Sequence, residues 1–404
     1  MGQVPFFRPA LNSTEIEEVV ATLRSGWLTS GPKTQRFEEE FAKAVGARRA
    51  VALNSCTAAL HLATEALGLE TNQAVLVPTM TFAASAEIVR YPGAVPVLVD
   101  CDPETLNLDL EDAQSKADDL KAGRLPAAYA GVSQLVGVIP VHVGGRMFDV
   151  AALQALAARH GLWIVEDAAH AFPAAWRAAA DQPWQRCGER TADVSCYSFY
   201  ANKTITTGEG GMAVTESDEL AEKIRSLSLH GLSNDAWGRY TSKGAWDYRI
   251  IAAGYKYNLT DVAAALGIHQ LARAETMRQA RERVALELIE GLRDVDEIEL
   301  PTVPEDRIHS WHLFQIKLHL DQLTIDRDRF LEELRERGIG FSVHWRPLHL
   351  HPYYQETFGW RPEHLPVATE VWRRTISLPI FPAMTDEELR AVVDAVREVC
   401  RRYR

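Results

Sequence analysis

The chain has 404 residues, of which 47% are hydrophobic and 24% are charged, and its formal net charge is −12. This composition is ordinary for a globular enzyme of two domains, and the acidic balance excludes a general nucleic-acid binder, which needs a basic face. Apolar runs fall short of the ~20 residues that span a bilayer, and the first residues lack a signal-peptide pattern, so we expect no membrane insertion. Five scattered cysteines without a CxxC pair predict reduced thiols in the cytoplasm and no metal site.

The first half of the chain alternates between short apolar strands and helices. A helix is predicted to begin at Asn12, because Glu15 follows as its capping-box partner. From about residue 50 to 215 the alternation predicts an α/β fold, in which helices cover both faces of a mostly parallel, mixed sheet. The predicted strands cover residues 49–54, 74–77, 95–100, 135–141, 162–166, 194–199 and 211–215, and the predicted helices cover residues 57–67 and 150–160.

The second half has a different pattern. Residues 259–294 predict a helical region of at least two segments, and residues 327–337 a helix that ends at Gly338. Residues 312–320 and 339–345 predict strands, and residues 386–402 an amphipathic terminal helix. We therefore expect a large domain over residues 1–264 and a smaller α+β domain over residues 265–404, against which the N-terminal helix can pack.

Two stretches place reactive side chains after strands. In residues 163–171 (WIVEDAAHA), Glu166 and Asp167 end an apolar strand, and ligands bind at the carboxyl ends of strands in open α/β sheets. Asp167 could pair with a protonated ring nitrogen of a cofactor or cap the next turn. In residues 196–211, Lys203 lies among apolar and hydroxyl residues before clustered glycines. Desolvation would lower the pKa of such a lysine and make it a nucleophile, although a lone lysine is more often a surface residue.

A third stretch supplies an anion site. In residues 54–63 a strand passes directly into a helix, with Ser55 and Thr57 at the junction. Free N–H groups and the helix dipole favour an anion there, although an ordinary N-cap fits the same residues. No Walker or GxGxxG pattern is present. Together the three stretches contain what a pyridoxal phosphate site needs: a phosphate cradle, a partner for the pyridine nitrogen and an amine.

From about Gly31 onward, the chain resembles the DegT/DnrJ-type nucleotide-sugar aminotransferases, which are pyridoxal phosphate enzymes of the aspartate-aminotransferase-like fold type I. The resemblance rests on the stretches NSCTAALHLA, WIVEDAAHA, CYSFYANKTITTGEGG and GYKYNLTD, which occur in this order. It implies a transaminase with pyridoxal 5'-phosphate as cofactor. It also implies a homodimer with shared active sites.

The resemblance assigns a role to each matching residue. Lys203 is the Schiff-base lysine and Asp167 the partner of the pyridine nitrogen, and these two are the catalytic residues. Phe82 stacks on the cofactor ring and Ala169 lies beneath it. The other residues implied to bind the cofactor are His170 at the phenolic oxygen, Ser55, Thr57 and Ser198 at the phosphate, Cys56 where Gly or Ala is usual, and Asn258, which reaches the phosphate of the neighbouring subunit.

The stretch GFSVHWRPLHLHPYY contains three histidines and an arginine. A strand of period two would place His349 and His351 on one face, but no third fixed ligand is nearby, so no metal site is predicted. The stretch resembles that of enzymes that aminate UDP-4-keto pentoses, which implies contacts with the substrate. The residues implied are His344, Arg346, His349 and Tyr353. Residues 176–193 and 231–254 are also expected to shape the sugar or nucleotide pocket.

These features predict transfer of an amino group from L-glutamate to a nucleotide-linked keto sugar, with a 4-keto acceptor favoured over a 3-keto acceptor. The product would be an NDP-amino sugar for polysaccharide, lipopolysaccharide or glycosylated natural-product biosynthesis. Relatives in which histidine replaces the lysine are sugar dehydratases, and Lys203 argues against that activity. A non-catalytic, cofactor-binding regulator is the alternative from another class, because fold alone does not set function.

Overall fold

The computed structural model describes residues 3–125, 127–233, 249–302 and 304–404. Within those ranges no helix is both long enough and apolar enough to cross a membrane. The helices are α1 (Ser13–Ser25), α2 (Pro32–Val45), α3 (Cys56–Ala66), α4 (Ala84–Arg90), α5 (Leu110–Lys121), α6 (Val150–His160), α7 (Asp218–Ser228), α8 (Asp261–Ala272), α9 (Ala274–Leu292), α10 (Arg327–Glu336), α11 (Pro352–Phe358), α12 (Pro366–Arg374) and α13 (Asp386–Tyr403). The strands are β1 (Arg49–Leu53), β2 (Gln73–Pro78), β3 (Val95–Val99), β4 (Gln134–Val138), β5 (Trp163–Asp167), β6 (Ala175–Trp176), β7 (Gln185–Arg186), β8 (Val194–Ser198), β9 (Gly211–Thr215), β10 (Ile298–Glu299), β11 (Arg307–Ile308), β12 (Phe314–Leu318) and β13 (Thr375–Leu378).

A seven-stranded sheet in the order β1-β9-β8-β5-β4-β2-β3 forms the centre of the molecule. Neighbouring strands from β8 to β3 are parallel, whereas β9 runs antiparallel to both β1 and β8. Most residues of these strands are buried, which explains their continuous apolar runs. The predicted fold class, a mostly parallel mixed sheet between helices, is confirmed.

Local capping explains where several helices begin. The side chain of Asn12 accepts a hydrogen bond from the backbone of α1, and the Glu15 carboxylate accepts one from Asn12 N, so the predicted capping box is present. Thr385 and Glu388 form the same arrangement at the start of α13. At α3 the cap is Ser55, whose Oγ accepts from Ala58 N at 3.1 Å. This cap places the first turn of α3 directly after β1.

Two large apolar clusters underlie the fold. One contains the central sheet and its helices and extends to Ala274 and Met277 of α9. The other begins at Val284 of the same helix and includes the small antiparallel sheet β10-β12-β13 together with Val4. The predicted boundary at residue 264 falls inside α8. The two-domain division stays a proposal, and the packing favours a change of domain within α9.

The predicted strand over residues 339–345 is wrong. Only two isolated bridges form there, one between Val4 and Ile339 and one between Ser342 and Ser377. The chain is held at these two points by different segments and then turns toward the sheet edge, so no continuous ladder forms. The expected period-two arrangement of His349 and His351 is also wrong, because residues 348–350 form a 3₁₀ turn.

Candidate active site

A cavity of about 510 Å³ lies at the carboxyl edge of the central sheet. Asp167 ends β5 and Ser198 ends β8, so both side chains reach this edge. Ser55 joins them because β1 ends just before α3. Parallel strands of an α/β sheet bring their ligand-binding groups together at this edge. The cavity is therefore where the sequence predicted a site.

Lys203 lies on the turn that follows β8, and its side chain lines the cavity. Burial lowers the pKa of Lys203 from the ordinary 10.5 to about 8, although Asp167 raises it. The Lys203 amine lies 3.5 Å from Nε2 of His312, measured between the two nitrogens. An amine with this pKa is partly unprotonated near neutral pH, which suits it to act as a nucleophile or a base.

Asp167 is buried and faces the same cavity. Its Oδ2 accepts from the Ser85 hydroxyl at 2.7 Å, and its Oδ1 accepts from Ala169 N at 3.1 Å. Burial raises the pKa of Asp167, while these two hydrogen bonds favour the ionised form. The turn cap anticipated for Asp167 is thus present, and the carboxylate also faces the cavity.

Hydroxyl groups and backbone converge at the start of α3. Ser55, Cys56 and Thr57 line the cavity together with Ser198. A Cβ built on Gly211 would lie 2.3 Å from the carbonyl carbon of Ser55 and 2.6 Å from Cys56 N. Only glycine allows β9 to approach this turn so closely. The result is a compact turn with hydroxyls and a helix N-terminus, which suits a phosphate.

Aromatic rings form another wall of the cavity. Phe82 lines it and is 63% exposed, and Ala169 lines it as a small residue. His170 is buried and its ring stacks on Trp345, with 5.1 Å between centroids. Burial lowers the pKa of His170 well below its ordinary value, so the imidazole is neutral. The cavity therefore offers flat apolar surfaces beside Asp167 and Lys203.

Pyridoxal phosphate fits this set of groups. The turn with Gly211 can take the phosphate, Phe82 can cover the ring, and Asp167 offers a buried carboxylate for the ring nitrogen. Lys203 supplies the amine that the aldehyde requires. This fit rests on the polar groups that line the cavity and on the close approach of β9 to the Ser55 turn at Gly211.

Asn258 does not line the cavity of its own subunit. Its Nδ2 donates to Ser30 Oγ at 2.7 Å, and its Oδ1 accepts from Lys256 Nζ. The segment is anchored beside β1 by a bridge between Leu53 and Asn258. This position is compatible with the predicted contact between Asn258 and the phosphate of a neighbouring subunit, and that contact stays a prediction.

The four residues expected to contact substrate have different positions. His344 lines the cavity, its Nδ1 lies 2.8 Å from Ser377 Oγ, and burial lowers its pKa to about 4. Arg346 and Tyr353 line a groove of about 600 Å³, which shares Thr81, Phe82 and Trp345 with the cavity. His349 lines neither space.

His349 is a core residue. Its Nδ1 lies 2.8 Å from Thr79 Oγ1 and its Nε2 lies 2.8 Å from Thr369 Oγ1. Both ring nitrogens are occupied, and the side chain is fully buried. This geometry gives no support to a contact between His349 and substrate.

Two other segments were expected to shape the pocket. Residues 176–193 form the hairpin of β6 and β7, which pairs with β11, and among the described residues none from this hairpin lines the cavity or the groove. Residues 234–248, the larger part of the aromatic-rich segment 231–254, lie outside the described residues.

Sequence reasoning missed three residues of the site. His312 contacts the Lys203 amine, Trp345 stacks on His170, and Ser85 donates to Asp167. Each comes from a segment distant in sequence from its partner. The histidine-rich composition of the C-terminal half was the one available signal, and it did not indicate which ring faces the lysine.

Comparisons with known proteins agree along the whole chain. The sequence model of the DegT/DnrJ/EryC1/StrS aminotransferase family matches residues 9–397. The spore coat polysaccharide biosynthesis protein SpsC of Bacillus subtilis is 42% identical over 397 residues, which cover 98% of this chain and 97% of that protein. Among solved structures, the putative sugar aminotransferase Spr1654 of Streptococcus pneumoniae in its PLP form has a TM-score of 0.86 at 28% identity, covering 99% of each chain. Helicobacter pylori PseC, an aminotransferase involved in the biosynthesis of pseudoaminic acid, has a TM-score of 0.87 at 25% identity, covering 99% of this chain and 100% of that one.

Proposed function

Because the chain belongs to the DegT/DnrJ/EryC1/StrS aminotransferase family and is a pyridoxal-phosphate-dependent sugar aminotransferase, we propose that its acceptor is a nucleotide-linked 4-keto sugar. The amino donor in this proposal is L-glutamate. The observation that carries it is a second, groove-shaped space that shares the lining residues Thr81, Phe82 and Trp345 with the Lys203 cavity. A free keto acid needs only the cavity, whereas a nucleotide sugar has a long remainder to place.

The groove has the chemistry that such a remainder requires. Its wall includes the aromatic rings of Tyr91, Tyr353 and Tyr354, which offer flat surfaces for a base. Arg90 and Arg346 also line it, and neither guanidinium has a carboxylate partner among the ion pairs of the described residues. Arginine suits diphosphate recognition because its planar donors match phosphate oxygens.

The mechanism assigns a task to each residue of the chain. Pyridoxal phosphate supplies a carbonyl for the donor nitrogen and a ring that accepts electron density. The Asp167 carboxylate holds a proton on the ring nitrogen, and Ser85 and Ala169 N–H keep that carboxylate in place. The Lys203 amine removes the α-proton of glutamate and returns a proton to the sugar carbon. Nitrogen leaves glutamate as 2-oxoglutarate forms and ends on the former keto carbon of the sugar.

Cofactor retention by a dimer is part of the proposal. Among the described residues that line the cavity, Lys203 is the one side chain that is ordinarily cationic, apart from histidines whose pKa burial lowers. A phosphate therefore gains from a donor supplied by a second subunit. Asn258, held beside β1 and away from its own cavity, is the residue we assign to that role.

We also propose that the protein acts in the cytoplasm. The five cysteines are free thiols, four of them buried, which agrees with a reducing cytoplasm. An NDP-amino sugar made there would enter polysaccharide, lipopolysaccharide or glycosylated natural-product biosynthesis. A UDP-4-keto pentose is the first acceptor to test.

The decisive experiment is a panel of acceptors. UDP-, GDP- and dTDP-linked 4-keto and 3-keto sugars are generated in situ with L-glutamate, and amine product and 2-oxoglutarate are measured by mass spectrometry. We expect both products from at least one 4-keto sugar and neither from Lys203→Ala. A preference for 3-keto sugars would correct the reacting carbon. Efficient turnover of simple keto acids with no nucleotide sugar converted would refute the proposal, and loss of water without 2-oxoglutarate would indicate a dehydratase.

The identity of the reacting lysine has its own test. Borohydride treatment of the loaded enzyme should attach the cofactor irreversibly to Lys203, and peptide mapping locates the adduct. An adduct on any other lysine would refute the assignment of Lys203.

A further inference from the structure

His312 is the residue whose side chain approaches the Lys203 amine. Nε2 of His312 lies 3.5 Å from Nζ of Lys203. The ring is buried against His170, with 4.1 Å between the two centroids. Nδ1 of His312 has no hydrogen-bond partner among the described residues. A buried imidazole with this single polar contact is placed to orient the amine.

Arg281 lies behind His312 and carries an uncompensated charge. It is 3% exposed on α9, and no carboxylate pairs with it in the ion pairs of the described ranges. Its Nη1 donates to Trp311 O at 3.2 Å and to Ile380 O at 2.9 Å. Burial lowers the pKa of Arg281 to about 10, so the guanidinium remains charged near neutral pH.

The backbone between these side chains has an uncommon conformation. Trp311 has a φ of +52°, in the left-handed region that bulky residues rarely occupy. Its N–H donates to His309 Nδ1 at 2.8 Å and its carbonyl accepts from Arg281. Two buried side chains thus hold both polar groups of Trp311. Conformations of this kind persist where the surroundings enforce them, often at functional sites.

We propose that His312 is a positioning residue that accepts a hydrogen bond from the Lys203 amine and directs its lone pair into the cavity, while the charge of Arg281 disfavours protonation of both groups. The inference rests on Lys203 as the reacting amine. It does not depend on the sugar, so its failure and that of the proposed acceptor are distinguishable.

The charges around Lys203 support this arrangement. Burial has the largest effect and lowers the pKa of Lys203 to about 8; Asp167 and Cys56 raise it, and Arg281 lowers it. Burial also lowers the pKa of His312 well below its ordinary value, and the charges of Lys203 and Arg281 add to that effect. His170 and His344 complete the titratable groups on this side, and burial lowers the pKa of both. Arg281 is thus the fixed cation that opposes protonation of the pair.

The first test measures Lys203 in the cofactor-free protein. Competitive acetylation across a pH series, followed by mass spectrometry of the Lys203 peptide, gives the midpoint at which the amine becomes reactive. We expect about 8 in the unmodified protein. Arg281→Gln should raise the midpoint by about one pH unit, because a nearby like charge is removed. Arg281→Lys keeps the charge without the planar fork and should leave the midpoint near its original value.

Arg278→Gln is the matched control. Arg278 is also buried on α9, three positions earlier, but Glu275 and Glu282 compensate its charge. Its loss should leave the Lys203 midpoint unchanged. The role of Arg281 would be overturned if the Lys203 midpoint were the same in Arg281→Gln and Arg278→Gln. It would also be overturned if that midpoint lay near 10.5 in the unmodified protein.

The second test asks whether His312 orients the Lys203 amine or only supports the fold. His312→Phe keeps a ring but removes the acceptor, so the Lys203 midpoint should fall, because an acceptor stabilises the ammonium more than the amine. kcat of the loaded enzyme should fall at least about tenfold, with cofactor content and KM for glutamate little changed. His312→Gln restores an acceptor and should recover part of the rate. Unchanged kcat and midpoint in His312→Phe, or no difference between the two variants, would overturn the role of His312.

Discussion

The Ser85 hydroxyl donates a 2.7 Å hydrogen bond to Oδ2 of Asp167, the buried carboxylate that faces Lys203 across the cavity. Ser85 is itself oriented by Thr81, whose hydroxyl lies 2.7 Å away. Oδ1 of Asp167 accepts from Ala169 N. Helix α4 and the turn after β5 therefore hold the carboxylate from two directions, so its orientation is set by the chain alone.

Ser85→Ala should weaken catalysis without removing it. Loss of the donor raises the pKa of Asp167 further, in the direction that burial already favours, and less of the carboxylate is ionised. A hydrogen bond to a charged group contributes about 1.5–3 kcal/mol, so we expect kcat to fall at least about tenfold. Thr81→Val is the milder control, because Ser85 can still donate to Asp167. Equal rates for Ser85→Ala and the unmodified enzyme would show that this bond does not support the carboxylate.

Asp167→Asn should abolish most of the activity. The substitution keeps the shape of the side chain but removes the negative charge that holds a proton on the ring nitrogen. We expect a loss of at least about a hundredfold in kcat, since buried electrostatic groups of this kind contribute several kcal/mol. Single-turnover rates with glutamate, followed by cofactor absorbance, measure it. Near-normal rates would mean that another acid performs this task.

Glu166, the neighbouring acid on β5, should affect stability instead. It lies outside the cavity and accepts from Thr191 Oγ1 at 2.7 Å and Ser195 Oγ at 2.5 Å. Burial raises the pKa of Glu166, but the nearby His142 ring and the hydrogen bonds from Ser195 and Thr191 outweigh it, and the pKa lies below the ordinary 4.5. Glu166→Gln should lower the free energy of unfolding by about 1–3 kcal/mol at neutral pH while leaving kcat within a few-fold.

The pH dependence of this stability difference has a definite sign. A carboxylate whose pKa is lowered by folding stabilises the folded protein fully at pH values above its pKa in the unfolded state. That stabilisation is lost as the pH falls through its pKa in the folded state. The gap in unfolding free energy between the unmodified protein and Glu166→Gln should therefore narrow below pH 4.5. Urea unfolding at several pH values measures it. A gap that widens in acid would contradict the ionised state of Glu166.

Gly211→Ala tests the phosphate turn. The added Cβ would overlap the carbonyl of Ser55, which cannot retreat without moving the start of α3. Overpacking of this kind costs about 1–3 kcal/mol, so cofactor affinity should fall by roughly 10–100-fold. Gly291→Ala is the control, because a Cβ added to Gly291 on α9 would meet the side chain of Val393 on α13 and not the phosphate turn. An unchanged cofactor Kd in Gly211→Ala would place the phosphate elsewhere.

Shared sites predict complementation between inactive variants. Asn258→Asp places an acid where we expect the partner's phosphate, and Lys203→Ala removes the amine. After subunit exchange, the heterodimer has one site with both changes and one with neither, so up to half of the activity per heterodimer should return. If exchange is verified and no activity returns, Asn258 acts within its own subunit.

Sequence pattern predicted the central sheet well because its strands are buried on both faces and appear as short apolar runs between turns. Asp167 was singled out because it ends a strand, Lys203 because its surroundings predicted desolvation, Ser55 because it precedes a helix, and Ser198 because of the family resemblance. The structure brings all four to one cavity. Local rules failed in the C-terminal half. Residues 339–345 alternate like a strand, but Val4 and Ser377 hold them from separate segments.

The histidines show most clearly what pattern cannot provide. His349 was interpreted as a substrate contact and lies between two threonines, whereas His312 attracted no attention and contacts the lysine. The two differ in their tertiary surroundings. Spacing cannot rank them, because each lies in a short apolar stretch of similar composition.

The pairing of Val4 with Ile339 has a consequence for how the protein is made. Val4 N donates to Gly338 O and Gly340 N donates to Val4 O, so the segment around Val4 finds its partners only after more than 330 further residues have been synthesised. The central sheet, complete once β9 emerges from the ribosome, can assemble much earlier, because domains form as their own contacts become available. The segment around Val4 must then remain unattached until residues 338–340 have been synthesised. A tag fused ahead of Val4 would therefore interfere with the final docking step rather than with formation of the cofactor site.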